Sequence, residues 1–388
     1  MYLNQAAKLA WANTTEDLGR LAVRCAGITF AVLLMFMQTG FQNALFDSNV
    51  RIAEVANVDF MLRTKTRFML SSGQRMPFDK ITAARSLPGV LDVQPVYFEN
   101  VVSQLRKKNR PSRRIRVIAF DLHNPMFDKL GIQRFSKLLD APLTAIADRK
   151  SKSMYRFDDL TCSGGGGSYG ELFKKKINIV GCFQLGIDFS NDGNIFMSPD
   201  NFDRYFSFRS VKETVDYGFV KMKDGADARL VQAALRKQLG PHVLVDTKQE
   251  FLQSEREFWG KSTPIGLIFS FGTLIGFVVG LIICYQVLAT DIGDHLSEFA
   301  TFKAMGFPPS FFGAVVVIQA LFVSIISFIP GMLITLCVFG FVNTFSGLIM
   351  FLNFERAAIV LVLTIGMCVV SGIIALQKLI ASDPANLF

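Results

Sequence analysis

Several kinds of chemistry are missing from this sequence of 388 residues. It has only three histidines and no C-x-x-C pair, so nothing in the pattern favours a metal site. No G-x-x-x-x-G-K-[ST] segment occurs, which excludes a P-loop for nucleotide phosphates. G-x-S-x-G and H-E-x-x-H are also absent, and the carboxylates are scattered rather than paired. We therefore predict no catalytic site, no metal and no cofactor bound by this chain.

Charge is absent from four long apolar runs at 25–46, 265–290, 311–341 and 357–377. Hydrophobic residues make up 51% of the chain and the mean hydropathy is +0.35, which is too apolar for an ordinary soluble protein of this length. Each run can cross a hydrocarbon core, which takes about 20 residues in a helix. Because the runs contain no Asp, Glu, Lys, Arg or His, a proton or ion relay within them is disfavoured. The sequence predicts an α-helical membrane protein with four transmembrane helices.

The apolar runs are unevenly spaced, with one before and three after a segment of more than 200 residues at 47–264. This segment mixes helical and alternating patterns, which indicates a large α+β domain between the first and second spans. The predicted strands are 91–97, 100–105, 114–120, 177–184, 217–221 and 243–246. The predicted helices are 81–90, 226–239 and 248–261, the last leading into the second span as a stalk. Strand pairing is expected to be antiparallel.

Basic residues near the first run set the expected orientation. Residues 1–24 have the pattern of an amphipathic helix, and Lys8, Arg20 and Arg24 place it in the cytoplasm, with the two arginines near lipid phosphates. The first run could also be taken for a signal peptide, but it is long and no A-x-A site follows, so we expect an uncleaved anchor.

Alternation of the spans then assigns the remaining segments. The domain at 47–264 and the connection 342–356 are expected to be extracytoplasmic. The loop 291–310 and the tail 378–388 are expected to be cytoplasmic. In the third span, Pro330-Gly331 is a candidate kink.

The net charge of +9 comes from the large domain. Between residues 47 and 264 there are 35 Lys and Arg against 25 Asp and Glu, densest at 106–116 and 174–176. Because this excess lies on the far side of the membrane from the cytoplasm, we predict no nucleic-acid partner. Two interpretations remain open: a solvated loop or hairpin face, or a surface for acidic lipid head groups, an anionic glycan or a partner protein.

Cys162 and Cys182 flank a glycine-rich loop at 163–168 in the large domain. An oxidising compartment would permit a disulfide between them. The loop has the composition of a flexible linker, native or engineered. Its formal G-x-G-x-x-G match lacks the preceding strand and following helix that a dinucleotide site requires.

The segment from Asp291 to Gly306 has the pattern of a short amphipathic helix. Asp291 and Asp294 are expected in its first turn, where the helix dipole favours anions, and Gly306 is expected to end it. Such a helix is either a connector at the membrane surface or a helix that docks into a groove of an ATPase subunit.

This segment resembles a known family. Residues 297–306, S-E-F-A-T-F-K-A-M-G, are similar to the R-E-I-G-x-x-K-A-L/M-G loop of the FtsX-like, MacB-type ABC permeases. Ser382-Asp383-Pro384-Ala385 is similar to the D-P-A that closes many of them. L-P-G-V with Val93 and Pro95, at 87–95, resembles their extracytoplasmic motif. Segments 294–298 and 192–194 are similar to the cyanobacterial DevC-like permeases. The agreement covers essentially the whole chain, although MacB has a fused ATPase that this chain lacks.

The resemblance implies a type VII ABC exporter acting by mechanotransmission. Its permease would form a homodimer and bind two copies of a separate ABC ATPase subunit, which holds MgATP. A periplasmic membrane-fusion (adaptor) protein, a TolC-like outer-membrane duct and membrane lipid are the other implied partners. The implied location is a bacterial, cyanobacterial inner membrane with both termini cytoplasmic, and the implied cargo is a glycolipid or another envelope substrate. The residues assigned to the ATPase-coupling site are Asp291, Asp294, His295, Leu296, Glu298, Phe299, Phe302, Lys303, Met305 and Gly306.

Other functions fit the same pattern of spans. One alternative is a lipoprotein-releasing permease, or an FtsX-type regulator of the cell envelope, although FtsX itself has a much smaller outer domain. Another is a membrane receptor or scaffold that transports nothing and needs no ATPase. The identity of a co-purifying partner separates these alternatives.

Overall fold

The computed structural model describes residues 2–107, 110–157, 168–295, 298, 301–302, 304–346 and 350–381. The chain divides into two compact units. A helical unit comprises Met1–Asn43, Pro264–Val342 and Met350–Phe388, and a sheet unit comprises Ala44–Thr263 and Asn343–Ile349. The α-helices in the described part are α1 (Tyr2–Thr15), α2 (Leu18–Val55), α3 (Asp79–Arg85), α4 (Ser136–Leu139), α5 (Pro199–Tyr205), α6 (Ala228–Leu239), α7 (Lys248–Lys261), α8 (Pro264–Asp294), α9 (Pro309–Ser346) and α10 (Phe354–Ala381).

Four helices in the described part are long and apolar enough to cross a membrane, judged by length and composition: Leu18–Val55, Pro264–Asp294, Ser310–Phe345 and Phe354–Gln377. Each contains one predicted apolar run. Helix α2 is longer than its run, because polar residues continue the helix beyond Phe46. At 1.5 Å per residue its 38 residues extend over about 57 Å, well beyond a hydrocarbon core of about 30 Å.

The N-terminal segment, predicted as one helix over 1–24, contains α1 and the beginning of α2. The Asp17 carboxylate accepts hydrogen bonds from the backbone N–H groups of Gly19 (2.8 Å) and Arg20 (3.1 Å). These are the orphan donors of a new helix, so Asp17 caps α2 and separates it from α1. The bond from Arg20 also lowers the pKa of Asp17, which keeps the cap ionised.

Pro330, the candidate kink, lies inside α9, which continues through it. A proline cannot donate to the preceding turn, so carbonyl groups there need another donor. The Thr29 hydroxyl of α2 donates to the Ser327 carbonyl at 3.0 Å. The neighbouring helix α2 thus contacts this turn, next to Ile326, whose carbonyl has lost the N–H donor at position 330.

The strands in the described part are β1 (Phe60–Thr64), β2 (Met76–Pro77), β3 (Val90–Glu99), β4 (Gln104–Arg106), β5 (Arg113–Arg114), β6 (Arg116–Ala119), β7 (Thr144–Asp148), β8 (Ser168–Leu172), β9 (Lys175–Phe183), β10 (Asn194–Met197), β11 (Thr214–Val215), β12 (Tyr217–Met222) and β13 (Val243–Thr247). Eleven of them form a mixed sheet, in the order β13-β1-β12-β3-β6-β10-β7-β9-β8-β4-β5. Two pairs are parallel, β6 with β10 and β7 with β9, so the expectation of antiparallel pairing is wrong for these pairs. Strands β2 and β11 form a separate pair, and short 3₁₀ helices occupy Pro125–Leu130, Gln133–Phe135 and Ser153–Tyr155.

Most predicted elements of this unit are confirmed. The helix predicted at 248–261 has those bounds, beginning with a capping box in which Thr247 and Glu250 bond each other's backbone. The helix predicted at 81–90 ends sooner, at Arg85. Gly89, with φ +85°, makes the turn into β3, a conformation that glycine adopts without strain.

Buried arginines link the strands of this unit. Arg67, in the loop after β1, and Arg209, in the loop before β11, both pair with Asp216, and all three side chains are nearly inaccessible to solvent. Arg209 also contacts Glu99, 3.3 Å away. The network is costly to break, because removing one partner leaves a buried charge without compensation.

We predict that Gly181→Ala destabilises the sheet unit. A Cβ at Gly181, on β9, would overlap the ring of the buried Phe135, so the ring must shift or the strand must move. Overpacking of this kind costs about 1–3 kcal/mol. The matched control is Gly73→Ala, because a Cβ there meets nothing within 4 Å. Thermal unfolding of the full chain in detergent should show a lower midpoint for Gly181→Ala alone, and equal midpoints would contradict the packing.

We also predict a pH dependence from Glu255, on α7. This side chain is buried, neither carboxylate oxygen accepts a hydrogen bond of good geometry, and Arg63 and Arg67 lie near it. Burial raises its pKa from 4.5 to about 7, so the proton bound in the folded state stabilises the fold below pH 4.5, and this contribution is lost as the pH rises through about 7. The shift corresponds to about 3 kcal/mol.

Unfolding midpoints measured between pH 5 and 8.5 should fall with pH in the wild-type chain. The Glu255→Gln variant stays uncharged throughout and should show a flatter profile. Identical slopes would mean that Glu255 does not titrate in this range.

Candidate functional site

The predicted coupling carboxylates lie at the end of α8. The expectation that Asp291 and Asp294 begin a separate helix is wrong, because α8 runs without interruption from Pro264 to Asp294. At this end of a helix the dipole disfavours anions. The two aspartates therefore need cations from elsewhere in the helical unit.

Two arginines of α2 supply those cations. Arg24 forms an ion pair with Asp291, and their side chains are only 14% and 5% exposed. Arg20 pairs with Asp294 at 2.9 Å on the surface, where the side chains are 62% and 43% exposed. The sequence had suggested lipid phosphates as the partners of both arginines. The structure instead joins the beginning of α2 to the end of α8.

His295 follows α8 directly and is surrounded by carboxylates. Its Nδ1 lies 3.3 Å from a Glu298 oxygen, and its Nε2 lies 3.8 Å from Asp291 and 4.0 Å from Glu16. The Asn13 amide of α1 donates to the other oxygen of Glu298 at 3.5 Å. Polar contacts thus hold the beginning of the α8–α9 connection against α1 and the α1–α2 turn.

The other described end of this connection has an apolar face. Phe302 packs against Phe307 and Phe311, with ring centroids 5.6 and 6.2 Å apart, beside the buried Ile292. The Phe307 N–H donates to the Phe302 carbonyl at 3.2 Å, and Gly306 has φ +87°. This is a Schellman helix end, for which glycine is the usual residue. Met305 remains 60% exposed.

Several predicted residues lie outside the described part of the chain. They are Leu296, Phe299, Lys303, Cys162, the loop 163–167 and Ser382-Asp383-Pro384-Ala385. Cys182 is fully buried in the sheet unit. The disulfide between Cys162 and Cys182 therefore stays a prediction.

A cavity of about 680 Å³ opens beside the charged cluster. The described residues that line it come from the end of α1, the beginning of α2, the turn between them, the end of α8 and the segment that follows it. They include Asn13, Glu16, Arg20, Asp294, His295 and Glu298. A concave polar surface of this kind can accept the side chains of a partner protein.

The sequence interpretation missed Asn13 and Glu16, and it gave Arg20 and Arg24 a different partner. A signal was available for the arginines. Span alternation places residues 20–24 and 291–294 at the same side of the membrane, with opposite charges next to apolar runs. Such charges are rarely left unpaired.

A motif that suggested the DevC-like resemblance proves to be structural. Asn194, of the Asp192-Gly193-Asn194 turn, is fully buried. Its amide donates to Asp148 and to the Gly186 carbonyl, both at 2.8 Å, and accepts from Arg116 at 2.8 Å. These bonds hold strands β6, β7 and β10 together.

Comparison with known proteins places the C-terminal helices in a family. Residues 267–384 match the family model of the FtsX-like permease C-terminal domain. No curated protein matches the chain. The periplasmic region of MacB from Actinobacillus actinomycetemcomitans aligns with 53% of this chain and 95% of its own, at 11% identity and a TM-score of 0.38. The extracellular domain of the noncanonic ABC-type transporter YknZ from Gram-positive bacteria aligns with 48% and 98%, at 10% identity and a TM-score of 0.35. TM-scores this low do not establish that the sheet unit shares a fold with either domain.

The four apolar helices and the matched domain define a membrane permease. Residues 267–384, which comprise nearly all of α8 together with α9 and α10, form an FtsX-like permease C-terminal domain. This confirms the FtsX-like resemblance for the C-terminal helices. The closer resemblance to the DevC-like members stays a prediction.

We predict that Arg24→Met destabilises the helical unit far more than Arg20→Met. Loss of Arg24 leaves Asp291 buried without its cation, which costs about 3–5 kcal/mol, whereas an exposed pair such as Arg20 with Asp294 contributes about 0–1 kcal/mol. Thermal midpoints of the purified chain in detergent test the difference. The double variant Arg24→Met/Asp291→Asn should recover part of the loss. Similar midpoints for the two single variants would show that the buried pair does not stabilise the unit.

Proposed function

We propose that this permease is the membrane subunit of an ATP-driven exporter that acts by mechanotransmission. In this proposal a separate ABC ATPase subunit hydrolyses ATP, and the segment 291–306 receives the resulting movement. The sheet unit then moves on the other side of the membrane without a substrate pore through the spans. The proposal rests above all on the ion pairs that join the end of α8 to α2.

Helix α2 supports the second step. Its residues up to Asn43 belong to the helical unit, and those from Ala44 belong to the sheet unit. The helix is continuous across this boundary. A displacement of Asp291 acts on Arg24, which lies on the same helix that leads into β1. The absence of Asp, Glu, Lys, Arg and His from the apolar runs is in keeping with a protein that transmits movement rather than ions.

The wider assembly follows from the same proposal. A homodimer would bind two ATPase subunits, each with MgATP, at the surface that carries His295 and Glu298. The sheet unit would lie in the periplasm and meet an adaptor protein and a TolC-like outer-membrane duct. The membrane would be a bacterial inner membrane with both termini cytoplasmic. The cargo would be a glycolipid or another envelope substrate.

We predict that the double variant Glu298→Arg/Phe299→Asp loses the ATPase subunit. The change reverses a charge beside His295 and places a carboxylate on the predicted apolar face of the connection. The measurement is the amount of ATPase subunit, and of ATP hydrolysis, that co-purifies with the tagged chain from its native membrane. The Glu213→Arg variant reverses an exposed charge in the sheet unit and should retain both.

Two results would contradict the proposal. Normal ATPase recovery with the double variant would show that the segment 291–306 is not the coupling site. A wild-type chain that recovers no ATPase subunit would favour a receptor or scaffold. Recovery of a lipoprotein carrier or a cell-wall hydrolase in place of an adaptor would leave the ATPase coupling intact but change the exported cargo or the regulated process.

A further inference from the structure

A row of charged side chains crosses one end of the large sheet. Arg106 on β4 lies opposite Glu171 on β8, and Glu171 lies opposite Lys176 on β9. The adjacent residues Leu105, Leu172 and Ile177 are buried on the other face. Since side chains alternate between the faces of a strand, the row faces outward together with Tyr169.

The charges in this row are unevenly compensated. Arg106 is paired with Glu171 at 2.5 Å, but the two side chains are 57% and 35% exposed, so the pair is weak and open to exchange. The Lys176 ammonium lies 4.8 Å from the centre of the Tyr169 ring and forms no ion pair with a described residue. Arg110 is exposed and its guanidinium likewise has no acidic partner among the described residues.

These side chains surround a cavity of about 550 Å³. Its described lining is Arg106, Lys107, Arg110, Tyr169, Gly170, Glu171 and Lys176. The lining thus has four cations and one carboxylate. The volume is within the range of small-molecule sites, about 300–1,000 Å³, and a concave site of this size does not suit the flat face of a protein partner.

We propose that this cavity binds a phosphate ester, held by Arg110 and Lys176. Arg106 would exchange Glu171 for the phosphate, because a planar guanidinium can bind two phosphate oxygens at once. The Tyr169 ring, 61% exposed, would cover the organic part of the ligand. The ligand is either a soluble molecule, such as a sugar phosphate, or a phosphorylated lipid head group.

Protection of a sheet edge does not explain the cluster. Basic side chains often prevent edge strands from pairing with other chains, and Arg113 and Arg114 on the edge strand β5 fit that role. Lys176 lies three strands further in, on β9, where pairing with β8 already occupies the backbone. Its position in the row requires another reason.

Calorimetric titration of the full chain in neutral detergent at low salt tests the site. Glucose 6-phosphate should bind saturably and glucose should not. Lys176→Glu and Arg110→Glu should each weaken binding about tenfold or more, since each removes a charged hydrogen bond. Lys237→Glu is the matched control, because it makes the same change of charge on the exposed face of α6, and it should stay within about twofold.

A second arm separates the two sources of phosphate. Phosphatidic acid doped into the micelles should displace glucose 6-phosphate, and be retained through purification, if the site takes a lipid head group. No displacement would assign the site to a soluble ester. Lys176→Met, checked by its thermal midpoint, gives the same comparison without a reversed charge.

Three results would overturn the proposal. The first is no saturable binding of either phosphate probe. The second is an equal loss of binding in Lys237→Glu, which would indicate a general charge effect. The third is binding of an acidic peptide but of neither phosphate ester, which would make the surface a protein-docking site.

Discussion

The buried ion pair between Arg24 and Asp291 is the interaction on which the arrangement of the helical unit depends. Arg24 lies near the beginning of α2 and Asp291 near the end of α8, so each charge is close to the helix end whose dipole disfavours it. Burial adds a cost of several kcal/mol for each ion. Contact between the two offsets both costs. The pair therefore fixes which end of α2 lies beside which end of α8, and how far the two helices are displaced along their axes.

This constraint couples the position of α8 to that of α2. Asp294 and His295 continue the contact, to Arg20 and towards Glu16, so the end of α8 is held to both sides of the α1–α2 turn. A shift of α8 that α2 did not follow would expose or separate a charged pair. Movement of the two helices together is the less costly response. In the proposed exporter, this joint movement of α8 and α2 would be the first response to the ATPase subunit.

The sequence predicted local structure well and long-range contacts poorly. Alternation identified β3, β6, β9, β12 and β13, and the amphipathic period identified α6 and α7, since both patterns report which face of a segment is buried. Strand order depends on contacts between distant residues, so the parallel pairs of β6 with β10 and β7 with β9 left no local signal. The same limit affected the site. The segment 291–306 was identified by resemblance, but the dependence of Asp291 on Arg24, 267 positions away, was not.

The net charge of the sheet unit does not by itself locate a binding site, because some of its charged residues form buried ion pairs and others lie on the surface. Its buried arginines use up carboxylates: Arg63 pairs with Asp246, Arg116 with Asp188, and Arg67 and Arg209 share Asp216. These carboxylates neutralise guanidinium groups inside the fold, where an unpaired guanidinium would be strongly destabilising. These pairs remove about as many cations as carboxylates from the surface, so the unit's excess of Lys and Arg remains on its surface. Where several surface cations line one cavity, as Arg110 and Lys176 do, the local positive charge can favour binding of an anion.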